Sequence, residues 1–182
     1  IDIPPDRVQA FADALGFPKE FFYQYPEIHG GGVPCLFHRK RQDIPAAKLK
    51  AIQAQARIAT VATENLLQDI DIDHERGFPR LDIDDYDSPE EIAQMTRRYW
   101  RLPPGPVRNV VRVIEAAGGV VIRRVLGTRK IDAISQWPPN GRPVFIVNAD
   151  IPTDRLRFTL AHEIGHIIMH TLLSDDPEEE AQ

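Results

Sequence analysis

Cysteine is almost missing from this chain of 182 residues: the single thiol, Cys35, has no intrachain partner. That excludes a disulfide framework and fits a reducing compartment such as the cytoplasm. Long apolar runs are missing too. Stretches such as 119–122 or 164–169 fall far short of the roughly 20 residues that a membrane-spanning helix needs, so no membrane partner is expected. Positive charge is in deficit, with 22 Lys and Arg against 27 Asp and Glu and a net charge of −5. A surface basic all round is therefore excluded, and any nucleic-acid contact would need a local patch. What is present, 42% hydrophobic and 27% charged residues, suits a globular fold with one core-bearing domain and a smaller accessory segment. The sequence starts at Ile1 and stops at Gln182 inside a charged, helix-compatible run, so a piece of a longer protein is expected.

Helical spacing of Val8, Phe11, Ala12 and Leu15, with Gly16 placed to stop it, predicts a short amphipathic helix near the start. A second turn is expected at 18–22, and Tyr23, Tyr25, Pro26 and the glycine triplet 30–32 then break regular structure and mark a boundary. After the basic cluster 37–41, Asp43 and Pro45 open a long helix over about 46–68, which contains neither proline nor glycine. The acidic stretch 69–87 reads as a surface loop. Ser88, Pro89 and Glu91 supply a serine cap, a first-turn proline and a capping box for a helix to about Arg101. Pro106 is expected to open another, stopped by Gly118 and Gly119. Three β-branched or aromatic runs, 120–125, 131–137 and 143–148, predict a small sheet whose last two strands form a hairpin over 138–141. Thr153 or Asp154 then caps a long helix through about His170, and a helix restarts at Glu178.

The chemistry lies in the long C-terminal helix, in His162-Glu163-Ile164-Gly165-His166. Residues four apart on a helix project about 40° apart, so both imidazoles can meet one metal ion. Glu163 follows the first histidine, where a carboxylate can reach water at the metal without ligating it, as metal-assisted hydrolysis requires. A catalytic zinc takes three protein ligands, so a third must come from elsewhere. His170 lies about 12 Å beyond His162 along the axis, too far to share an ion, and is assigned to packing or support. Carboxylates at Asp175, Asp176, Glu178, Glu179 and Glu180 are the alternatives.

The stretch 157–170, Arg-Phe-Thr-Leu-Ala-His-Glu-Ile-Gly-His-Ile-Ile-Met-His, followed by Glu178-Glu179-Glu180-Ala181-Gln182, resembles the ImmA/IrrE family of zincin metallopeptidases. Residues 132–137 and 142–148 also look like the strands that precede that family's catalytic helix. The resemblance implies an α+β, zincin-like domain, a small sheet packed on an active-site helix, preceded by a helical segment. It implies Zn2+ held by His162, His166 and Glu178, with Glu163 as the catalytic base. Gln182 departs from the Asn or Asp usual at its position, which leaves the third ligand less sharply defined than the histidines. Residues 8–22 look like the last helix of an XRE-type helix-turn-helix domain and its exit. Two units are thus expected: 1–29, a helix-turn-helix remnant with its linker, and 30–182, a metallopeptidase domain cut short at its C-terminus.

On this reading the chain is a zinc-dependent endopeptidase whose partner is a protein substrate, by resemblance a transcriptional repressor cleaved in a stress or mobile-element response. Phe145, Ile146, Val147 and Asn148 are expected to offer a strand edge to which an extended substrate adds. Binding to DNA would belong to an absent portion of the helix-turn-helix domain. The alternative is a transcription regulator whose peptidase-like domain senses a ligand or partner and cleaves nothing; keeping the complete His-Glu-x-x-His set disfavours it.

Overall fold

The computed structural model describes residues 4–23, 44–67, 69–70, 76–81, 83–138 and 141–169. Five helices and three strands run through them: α1 (Pro5–Leu15), α2 (Ala46–Leu67), α3 (Pro89–Tyr99), α4 (Val110–Ala116), β1 (Val120–Arg124), β2 (Ala133–Gln136), β3 (Val144–Asn148) and α5 (Thr153–Met169), with single 3-10 turns at Lys19–Tyr23 and Ile83–Asp85. The α+β architecture with a small sheet is the expected one. The expected boundary near residue 30 lies outside the described residues.

Local signals account for most of the helix ends. Gly16 closes α1 in the left-handed region at φ 68°, where a side chain would be strained. Ser88 accepts a hydrogen bond from the Glu91 amide at the start of α3, and the Glu91 carboxylate reaches back one residue further than a standard capping box, to the Asp87 amide. The fourth helix begins at Val110 rather than at Pro106, because the Asn109 side chain accepts from the Arg112 amide and sets the cap there.

The sheet order is β1-β3-β2, with β1 parallel and β2 antiparallel to β3. This corrects the expectation for Phe145, Ile146, Val147 and Asn148. They form the central strand, hydrogen-bonded on both sides and wholly buried, so they offer no free edge to a substrate. Asn148 is committed further: its amide donates to the carbonyls of Thr128 and Ile131, and its oxygen accepts from the Asp150 amide. It ties together the turns at one end of the sheet.

Strand alternation divides the core in two. Ile134, Val144 and Ile146, with Val120 and Ile122 beside them, face α2 through Ile52, Ala56 and Ala59. Ala133, Phe145 and Val147 face the opposite way, toward Phe78 from the segment 76–81 and toward Ile92, Ile114, Leu160, Ile167 and Ile168 from α3, α4 and α5. The sheet is thus covered on both faces, and α5 packs chiefly on β2. Asp132, just before β2, pairs with Arg155 in the first turn of α5 at 2.7 Å and fixes that helix at its start.

Candidate active site

The helical period of α5 places Thr159, Leu160, Glu163, Ile167 and Ile168 against the sheet, while Phe158, Ala161 and His162 face outward and His166 lies between. The structure brings His162 and His166 together as the sequence spacing requires, with ring centroids 4.8 Å apart and planes nearly perpendicular at 88°. Phe158, one turn earlier and 75% exposed, stacks on the His162 ring at 6.0 Å. Partial desolvation moves the His162 imidazole below its ordinary pKa, toward the neutral form that ligates metal.

Glu163 is the unusual member. Only 2% of it is exposed, although a carboxylate is among the residues least often buried. The Ser135 hydroxyl donates to Glu163 Oε2 at 2.6 Å, and the Ser135 backbone N–H adds a second hydrogen bond. The sheet register makes that N–H available. The Asn148 backbone N–H donates to the Asp132 carbonyl, so in this antiparallel pair residues 132, 134 and 136 turn their peptide groups to β3 while Ser135 turns its own to the open side of β2. Burial raises the carboxyl pKa, the two Ser135 bonds lower it, and desolvation wins: the pKa stands at about 7. A carboxyl poised there can take or give a proton near neutrality.

Ser135 was not among the residues singled out from sequence. Its signal was present but weak: a hydroxyl at an inward-facing position of a strand whose other residues on that face are apolar.

Two imidazoles one turn apart, beside a buried carboxyl, form a donor set that fits zinc in part. Among the described residues no three His, Cys, Asp or Glu side chains come together as a ligand group. Glu178, the expected third ligand, lies outside the described residues, as do Glu179, Glu180, Asp175, Asp176 and His170.

Comparison with protein families gives one match over this part of the chain. Residues 114–182 fit the family Peptidase_M78, described as the IrrE N-terminal-like domain. The match runs from the end of α4 through the three strands and α5, and supports the ImmA/IrrE family for that segment; it points to metallopeptidase activity in general. It does not reach α1, so the likeness to a helix-turn-helix tail remains a reading of sequence. Neither the curated proteins nor the solved structures give a match. No helix among the described residues is long and apolar enough to cross a membrane.

Proposed function

We propose that the chain is a zinc-dependent endopeptidase whose substrate is a regulatory protein of the cytoplasm, namely a transcriptional repressor. The observation that carries the proposal is the placing of a buried carboxyl, with a pKa near neutrality, on the helix turn that pairs two imidazoles. His162 and His166 would hold the ion, with Glu178 as third ligand. When bound, zinc supplies Lewis acidity toward the scissile carbonyl and toward water.

The remaining work falls to the chain. Glu163 accepts the proton of the attacking water at its carboxylate and returns one to the leaving amine. Ser135 fixes the rotamer of that carboxylate, so that it need not be reorganised as the proton moves. Burial against β2 keeps bulk water from competing for it.

The test is a comparison of protein N-termini in cells producing the wild-type chain or Glu163→Gln, each in its full-length form. New N-termini within a repressor are expected for the wild type and absent for the variant. Equal cleavage by the variant overturns the role of Glu163. No cleavage by either, with a regulatory phenotype retained in both, moves the assignment to the non-cleaving regulator.

A further inference from the structure

Away from the histidines, a groove of about 590 Å³ opens between three segments that are distant in sequence: Phe17 after α1, Gln55 and Ile58 on α2, and Arg123, Arg124 and Val125 at the end of β1. Half of its wall is apolar. Phe17 stacks on Phe21 at 4.6 Å, Ile58 is half-buried, and Val125 is 65% exposed.

The other half is cationic in a chain that is acidic overall. Between Glu115 and Asp132 there is no acidic residue, but there are four cations, Arg123, Arg124, Arg129 and Lys130. Among the described residues no carboxylate pairs with Arg123 or Arg124, and Arg123 donates to the Ala149 carbonyl at 3.3 Å. Alternation along β1 turns Arg124 toward the α2 side, the side of Val120 and Ile122, where it lines the groove together with Gln55 and Ile58. A planar guanidinium at the edge of an apolar wall suits a ligand that is anionic at one end and flat and apolar at the other.

We propose that this groove binds a small aromatic anion, a phosphate or carboxylate carried on a planar apolar body, with Arg124 taking the anion and Phe17 and Ile58 the ring. Because the lining comes from the N-terminal segment as well as from α2 and β1, the ligand would tie the α1 segment to the sheet, a regulatory input separate from the histidine pair. The inference does not depend on the peptidase reading, and its test needs no catalysis.

The probe is 1-naphthyl phosphate, titrated into the full chain and followed by calorimetry and by thermal stability, with inorganic phosphate and 2-naphthol as separate arms. Saturable binding is expected for naphthyl phosphate, with each half-probe at least about tenfold weaker. Arg124→Ala should weaken binding by about tenfold and Ile58→Ser by a similar factor, while Arg112→Ala on α4, outside the groove, should leave it unchanged. Arg124 is exposed, so its variant is expected to melt with the wild type; if it does not, Arg124→Gln replaces it. Absence of saturable binding at millimolar probe overturns the site, as does binding that Arg124→Ala leaves intact. Binding of 2-naphthol as tight as that of the phosphate reduces it to an apolar surface. Tighter binding of a duplex oligonucleotide, lost in Arg124→Ala, contradicts it in favour of nucleic acid.

Discussion

Glu163 is charged only at a cost. Its pKa of about 7 in the folded chain, against an ordinary 4.5, means that the folded state holds a proton that the unfolded state releases between those values. The contribution to stability is complete below about pH 4.5, is lost as pH rises through about 7, and changes no further above that; the shift corresponds to roughly 3 kcal/mol. In metal-free protein, Glu163→Gln should therefore flatten the stability profile between pH 4.5 and 7, measured by denaturant unfolding across that range. A slope unchanged by the substitution would place the burial elsewhere. Ser135→Ala removes a hydrogen bond that favours the carboxylate, so the Glu163 midpoint should move above about 7, read from its carboxyl carbon by NMR. At this scale the sequence was informative about charge and spacing: the two histidines and the glutamate were legible from the 3.6-residue period alone. Ser135 was not, because its importance comes from a strand being laid beside the helix, which no local pattern states.

Elements were legible where they carry their own stop and start chemistry. Gly16, Ser88 with Pro89, and the glycine pair at 118–119 each mark an end that the structure keeps. The start of α4 was misplaced by four residues because Asn109 caps more strongly than Pro106 initiates. The position of β3 was misread for a different reason. Its sequence is a continuous apolar run, which is how a strand covered on both faces reads, but strand order depends on which partners arrive from elsewhere in the chain. Gly119 shows how tightly α4 is joined to β1. A Cβ there would lie 2.8 Å from Ile114 Cγ2 and 3.0 Å from the Phe78 ring, both in the core. Gly119→Ala should thus destabilise by about 1–3 kcal/mol, seen as a lower Tm. A Tm equal to the wild type would show that this turn yields without strain.

Across the molecule, the thin sheet is gripped from both sides, and adjacent residues of β2 serve opposite layers. Ser135 reaches Glu163 on α5, while Gln136 accepts a 2.7 Å hydrogen bond from Thr60 on α2, both partners buried. A slip of one residue in β2 would exchange these contacts and bury two polar groups against the wrong layer, so the pair fixes the register that presents Ser135 to the glutamate. Thr60→Val leaves the Gln136 oxygen buried without its donor and should cost about 1–3 kcal/mol in denaturant unfolding. Zinc content should be unaffected by that change, because neither histidine is touched. The histidine pair is the centre of the proposed chemistry. Metal analysis of the full-length protein, purified without added metal, for wild type, His162→Ala and His166→Ala, tests it most directly. About one zinc per chain in the wild type, lost in both variants while their folds persist, is the predicted result; a folded wild type without metal, or zinc retained in both variants, would contradict it.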